Sequence, residues 1–198
     1  MANTDKPAGL KPVGHLLNGA YTGETRVYYV PSTDGTAMFK GDAVGLAGSA
    51  DDTGKYPTVQ QYTATDTQVI GVAVAFSTVA PQIAADPSDL TQFYRPASTA
   101  MYVYVIDDPF VIYEIQEDSG GGSVAAASVG LNCEIIVGSG NTTTGLSGME
   151  LDTSEVATTA TLPLKILRLV DREDNAIGTH AKWLVKLNTA SMAHTTGV

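Results

Sequence analysis

Short apolar runs separated by turn-forming residues dominate the hydrophobic pattern of this chain. Several runs alternate apolar and polar positions with period two, and all are rich in β-branched and aromatic residues, which is typical of strands. Gly, Pro, Asn and Asp fill the connections between them. The pattern predicts six strands: TRVYYV (25–30), QVIGVAVAF (68–76), AMYVYVI (100–106), VIYEIQE (111–117), CEIIV (133–137) and WLVKL (183–187).

Helical spacing is rare along the chain, which contains 20 Gly and 9 Pro. Only residues 123–129 and 152–160 are predicted to form a helical turn or two. The fold class that follows is all-β, either jelly-roll-like or another β-barrel or sandwich. A loose similarity of GDAVGLAG and VIGVAVAF to GLNCEIIVGSG and LKILRLV hints at two similar β-layers, but it is too weak to predict a duplication.

The segment KILRLVDREDNAIGTHAKWLVKLN (165–188) predicts a hairpin. Residues 162–170 and 181–188 are its two strands, and the ten residues between them form the loop. Trp183 is predicted to pack in the core beside Val185 and Leu187. The apolar positions of the first strand change phase partway along it, which indicates a β-bulge or burial on both faces.

Three parts follow from these patterns. Residues 1–24 are predicted to be an extended N-terminal arm, and residues 191–198 are predicted to be a mobile tail. Between them, residues 25–190 are predicted to form a single β-rich domain, which two β-layers would make up. The arm has no periodicity, yet it contains scattered apolar side chains that a purely solvated tail would not need. We therefore expect these side chains to contact a partner: Leu10, Val13, Leu16, Leu17 and Tyr21.

The net charge of −10 is unevenly distributed. No Lys or Arg occurs between Pro96 and Pro163, whereas five of the eleven basic residues lie within residues 165–186. This balance argues against binding to nucleic acid or to an anionic membrane, both of which select basic surfaces. Because the hairpin concentrates the basic residues, we expect Arg172 and Lys182 to meet an acidic neighbour.

Few residues suggest chemistry. The chain has one cysteine and three histidines, and it lacks a G-x-S-x-G nucleophile motif. Residues 171–175 alternate oxygen-bearing side chains, but an EF-hand-type loop would need Gly and a carboxylate where the chain has Ala176 and Lys182. We expect no catalytic residue, no cofactor and no metal ligand, and hence a protein that is not an enzyme.

The chain resembles, over nearly its whole length, the head decoration or capsid cement proteins of tailed bacteriophages. The resemblance rests on sequence segments rather than on a catalytic motif. These segments are MANTDKPAGLKPVGHLLNGAYTGETRVYYVPSTDGTAMFKGDAVGLAGSAD, VIGVAVAF, YRPASTAMYVYVIDDP, YEIQEDSGGG, VGLNCEIIVGSGNTTTGLSGMELD and LKILRLVDREDNAIGTHAKWLVKLN.

This resemblance implies a structural virion protein that binds the outer surface of a capsid and cements neighbouring capsomers. Its implied partners are the major capsid protein and one or two further copies of itself, with no nucleic acid and no membrane. The acidic neighbour of the hairpin is then the capsid or the acidic middle region of a second copy. An alternative is a phage tail or fibre module that binds a host glycan by stacking sugars on Tyr102, Tyr104 and Tyr113.

Overall fold

A computed structural model describes residues 3–17, 21–66, 68–80 and 92–188 of the chain. Nearly all of its regular structure is β, with several antiparallel sheets, which confirms the all-β prediction. A single 3₁₀ turn, Ala126–Ser128, is the helical element of the described residues, and none of their helices is long and apolar enough to cross a membrane. The strands are β1 (Lys11–His15), β2 (Arg26–Val30), β3 (Met38–Phe39), β4 (Ala43–Ala50), β5 (Pro57–Gln61), β6 (Gly71–Ser77), β7 (Tyr94–Arg95), β8 (Met101–Ile106), β9 (Val111–Gln116), β10 (Asn132–Ile136), β11 (Glu150–Ala157), β12 (Leu164–Leu169) and β13 (Lys182–Leu187).

Five strands form a closed barrel in the order β2-β5-β4-β6-β8. Neighbouring strands are antiparallel except β2 and β5, which are parallel. Because side chains alternate along each strand, one set faces the interior of the barrel and forms its apolar core. That core includes Tyr28, Val44, Ala73, Phe76 and Val105. The short strands β3 and β7 pair separately.

The other large sheet has the strand order β1-β9-β13-β12-β10-β11. It curls, because Glu117, directly after β9, forms a parallel bridge with Leu151 in β11. Its concave side encloses a second apolar core. Trp183, Val185 and Leu187 all lie in that core, as the hairpin sequence predicted.

The two sheets share one topology. In chain order, the first unit consists of β2, β4, β5, β6 and β8, and the second consists of β9, β10, β11, β12 and β13. Each antiparallel pair in the first unit has an antiparallel counterpart in the second, and in both units the first and third strands are in parallel contact. Both β6 and β12 carry a bulge against their partner, after Ala73 and after Ile166 respectively. The chain therefore contains two barrel-like units in tandem, with β1 added to the second. The loose repeat in the sequence corresponds to β4 and β6 in one unit and to β10 and β12 in the other.

The bulges align the two units residue by residue. In the first unit Ala43 pairs with Val72, and Val72 pairs with Ile106. The equivalent row in the second unit is Asn132, Lys165 and Lys186. In both units this row lies on the outer face. Side chains alternate between the two faces of a strand, and the residues next to this row in each strand belong to the apolar cores.

The predicted hairpin is confirmed. Strands β12 and β13 pair antiparallel, with the predicted bulge between Ile166 and Arg168. Asn175 closes the loop between them, because its side-chain amide donates to the carbonyl oxygens of Val170 and Lys182 and accepts from the Lys182 N–H. The Asn175 side chain thus supplies hydrogen-bond partners to backbone groups at the end of the hairpin, where the ten-residue loop interrupts strand pairing.

The predicted helical turn at 123–129 contains the 3₁₀ turn, whereas the prediction for 152–160 is wrong, because most of this segment belongs to β11. Its polar sequence hid the strand: residues 152–155 fall within an irregular stretch of the β10–β11 ladder. The Asp118 carboxylate holds that stretch by accepting from the N–H and the hydroxyl of Thr153.

The described part of the predicted arm is tied to the second unit. Strand β1 pairs with β9, and the Leu10 side chain is 1% exposed within the second core. Leu10, which was expected to contact a partner, is therefore part of the second core of its own chain. The predicted tail, 191–198, lies outside the described residues.

Candidate functional site

Exposed apolar side chains lie along β1 and the turn before β9. Leu17 is 67% exposed, and Val13, Leu16 and Phe110 are also exposed. Val13 occupies a bulge in the β1–β9 ladder, and the Leu16 N–H donates to the Phe110 carbonyl oxygen at 2.9 Å, which brings the two segments together. We call Val13, Leu16, Leu17 and Phe110 the apolar edge patch.

Three of the five predicted contact residues therefore belong to this patch. Tyr21 packs half-buried against the second core, and Leu10 is not available to a partner because its own chain covers it. Strand β1 is the last strand of its sheet, so the described residues leave one of its edges without a ladder partner. An unpaired edge beside exposed apolar side chains is a common feature of surfaces that bind other proteins.

His15 lies at this edge with both ring nitrogens engaged. The Leu17 N–H donates to Nδ1 at 3.2 Å, so in the neutral ring the proton is on Nε2, which contacts the Asp108 carboxylate at 3.0 Å. Asp108 Oδ1 also accepts the Phe110 N–H. The histidine thus fixes the geometry of the patch and leaves no ring nitrogen to accept a proton from a nucleophile.

The predicted basic residues Arg172 and Lys182 line one groove on the second unit. Lys6 and Lys11 lie in the same groove, together with Glu114. Arg172 forms ion pairs with Glu114 at 3.2 Å and Asp174 at 3.3 Å. The fold therefore adds cations from the N-terminal segment to those of the hairpin, a proximity that chain order alone does not give.

Residues far apart in sequence form a polar junction that no sequence pattern predicted. Asp5, Glu150 and His180 place one potential ligand atom each within 4.8 Å of one another. The Gln116 amide nitrogen lies among them, donating to Asp5 at 3.0 Å and Glu150 at 2.8 Å, while its oxygen accepts the Lys6 N–H. Because the Gln116 side-chain oxygen accepts from Lys6, the Gln116 NH₂ group points toward the carboxylates of Asp5 and Glu150. A cation bound between these carboxylates would lie against N–H donors, which is unfavourable.

Burial, and secondarily the charge of Asp5, raises the pKa of Glu150. The junction ties the N-terminal segment to β9, β11 and the hairpin loop. Asn3 reinforces this attachment, because its side chain bonds the backbone of residues 176, 178 and 179. No motif spacing signals such a junction, since its members come together only through the sheet order.

The three tyrosines considered for glycan stacking separate in the structure. Tyr113 is buried in the second core, and its hydroxyl donates to the Ile106 carbonyl oxygen. Tyr102 and Tyr104 are half-buried on the outer face of the first barrel. The ring of Tyr102 contacts those of Tyr29 and Tyr56, with centroids 5.4 and 5.2 Å apart.

No family of known proteins, no curated protein and no solved structure matches this chain.

Proposed function

We propose that this protein is a structural virion protein that binds the outer surface of a phage capsid, cements neighbouring capsomers and so stabilises the DNA-filled head. The proposal starts from the resemblance of its sequence phrases to head decoration proteins. The observation that carries it further is the apolar edge patch, which adjoins an edge strand without a described partner. A cement protein needs such an adhesive surface and no reaction centre.

The patch is suited to a partner that offers an extended segment or a complementary apolar surface. Burying a fully exposed Leu or Phe side chain contributes about 1.5–3 kcal/mol, so four partly exposed side chains support a modest affinity at each site. A virion presents many equivalent sites, and contacts that bridge neighbouring subunits gain strength from high effective concentration. Modest individual contacts therefore suffice to reinforce a shell.

The charge distribution supports an exterior location. A protein with a net charge of −10 is repelled by the packaged polyanion and has little tendency to be drawn inward to the genome. The same acidity keeps a protein with an exposed apolar patch soluble before it meets the capsid.

Binding to capsids that lack this protein tests the proposal. The variant Leu16→Gln/Leu17→Gln should lose capsid binding by about tenfold or more, because it removes apolar area without touching either core. The control variant Val129→Gln/Ile177→Gln changes two exposed apolar residues elsewhere and should bind normally. Deletion of residues 1–20 is a poorer test, since it also removes Leu10 from the core.

Cosedimentation gives the affinities, and electron microscopy of the parent particle gives the location. Absence of this chain from the outer head surface would refute the proposal. Equal binding by the two double variants would show instead that the edge patch is not the contact.

The tyrosine cluster favours a second candidate function, a tail or fibre module that binds a host glycan. Half-buried Tyr29, Tyr56 and Tyr102 offer ring faces on one outer surface, and sugars stack on such faces. Glycan-array binding that is lost in Tyr102→Ala and kept in Tyr113→Phe would favour this alternative over the capsid proposal.

A further inference from the structure

The outer face of the second unit carries five of the eleven Lys and Arg residues of this acidic chain. The side chains of β9, β13 and β12 that point away from the core include Lys182, Lys186, Lys165 and Arg168, and Lys11 of β1 lies opposite Glu114 on the same face. Among the described residues, none of these five cations has a carboxylate within ion-pair distance. We call Lys11, Lys165, Arg168, Lys182 and Lys186 the cationic face.

Two of these cations oppose one another directly. Lys165 and Lys186 are cross-strand partners in the β12–β13 ladder. Like charges at directly opposed positions destabilise a sheet. The one polar contact described for either ammonium group is the long 3.5 Å bond from Lys165 to the neutral Asn132 side chain. The pairing of Lys165 with Lys186 therefore does not stabilise the fold, and an anion bound from outside would neutralise the repulsion between them.

The position of the pair in the tandem units indicates what such a surface does. The equivalent row of the first unit, Ala43, Val72 and Ile106, is fully buried and packs against the second core. Direct contacts join the units there, from the Tyr113 hydroxyl to the Ile106 carbonyl oxygen and from the Ala43 N–H to the Met149 sulfur. This row is thus a buried packing face in the first unit, whereas in the second unit Asn132 is buried and Lys165 and Lys186 are half-exposed.

A matching acidic surface lies on the next two strands of the second unit. Glu134 of β10 and Asp152 and Glu155 of β11 lie on paired strands, and the Glu134 carboxylate also accepts the Tyr62 hydroxyl at 2.8 Å. Burial, and then the charges of Asp152 and Glu155, raise the pKa of Glu134. Within the part of the chain that the structure describes, no Lys or Arg pairs with any of the three. We call Glu134, Asp152 and Glu155 the acidic strip.

We infer that the cationic face binds the acidic strip of a second copy of this chain. The two surfaces lie on neighbouring strands, because β12 pairs with β10. A two-fold axis between copies would make this contact twice in a closed dimer, whereas a single head-to-tail contact would lead to a ring or an open chain. This inference concerns the isolated protein and does not depend on the capsid proposal.

Net charge makes the association dependent on salt in a characteristic way. Two copies of charge −10 repel one another over long distances, but at about 0.15 M ionic strength the Debye length is about 8 Å. Contacts between the two surfaces survive that screening, whereas the remaining charges largely do not interact. Association should therefore be strongest near physiological salt and weaken at both very low salt and about 1 M salt.

Sedimentation velocity of the purified full chain tests this assignment. The variant Lys165→Glu/Lys186→Glu removes most of the positive charge of the cationic face and leaves the acidic strip intact, whereas Asp152→Lys/Glu155→Lys makes the acidic strip basic and leaves the cationic face intact. Each variant alone should self-associate about tenfold or more weakly than the natural chain. An equimolar mixture of the two should associate again, because opposite charges then face each other.

The second variant also controls for net charge, since it becomes less negative and yet should lose association. Lys55→Glu, on an exposed hairpin of the first barrel, should leave association unchanged. Circular dichroism establishes that each variant is folded. A natural chain that stays monomeric at every salt concentration would overturn the inference, as would a mixture that does not associate. Binding of duplex DNA that Lys165→Glu/Lys186→Glu abolishes would overturn the choice of partner.

Discussion

Trp183 and Glu117 form a buried polar pair in the second core, and the replacement Trp183→Phe tests what that pair contributes. The indole Nε1–H donates to Glu117 Oε2 at 2.7 Å, and the Val124 N–H donates to the same oxygen at 3.1 Å. The other carboxylate oxygen has no described hydrogen-bond partner. Phenylalanine would keep an aromatic ring in the core but remove the strongest donor to a charged, fully buried acceptor.

The expected loss of stability at pH 7 is about 2.5–4 kcal/mol. Removing a hydrogen bond to a buried charged group costs about 1.5–3 kcal/mol, and the space left by the smaller ring adds about 1 kcal/mol. Burial raises the pKa of Glu117, and the bond from Trp183 opposes that rise. The variant should therefore have a still higher Glu117 pKa, and its deficit should shrink as the pH falls and the carboxyl group becomes protonated in the folded state.

Urea unfolding followed by far-UV circular dichroism at pH 7 and pH 5 measures both effects and does not rely on the lost tryptophan signal. Tyr113→Phe is the matched control, because it removes one long 3.4 Å bond to a neutral carbonyl from an equally buried ring. Its expected cost is below about 1 kcal/mol at either pH. A Trp183→Phe deficit that is identical at the two pH values, or no larger than that of the control, would refute the role assigned to Glu117.

Three further measurements test the fold. Burial raises the pKa of Asp42, Glu117 and Glu134, so the folded state retains protons that the unfolded state releases; thermal melts should show higher stability at pH 5 than at pH 7, and the opposite slope would contradict this. Arg95→Lys should destabilise the first barrel by about 3 kcal/mol in urea unfolding, because the fully buried guanidinium donates to four backbone carbonyl oxygens and lysine cannot reproduce that fork; a loss below about 1 kcal/mol would count against it. Gly71→Ala should abolish cooperative unfolding of that barrel, since its Cβ would collide with the β8 backbone, and a normal melt would show that the β6–β8 contact is looser.

The sequence predicted most of the second core because its strands alternate regularly. Trp183, Val185 and Leu187 are buried as expected, and the phase change along β12 corresponds to a real bulge. Hydrophobic periodicity reports which side chains face a core, and in this hairpin nothing competes with that signal.

The pattern failed where local composition and tertiary partners disagree. Strand β4 is built from small residues, and polar β11 is held partly by Asp118, so neither has the β-branched run that marks a strand. Strand β1 contains Pro12 and Gly14 and lies at a sheet edge, where both residues are tolerated. The junction around Gln116 depends on strand order, which single-chain periodicity does not encode.

The tandem topology explains why the second unit, rather than the first, is the better candidate for contacts between copies. The first unit already buries its outer row, Ala43, Val72 and Ile106, against its neighbour in the chain. Among the residues that the structure describes, no further unit covers the equivalent row of the second unit, and an apolar row there would leave an adhesive surface exposed. Lysines at 165 and 186 keep that row soluble while retaining the geometry of a packing face. A row of this kind binds through charge. Reversing the charge of either surface should therefore weaken the contact, and mixing the two charge-reversed variants should restore it.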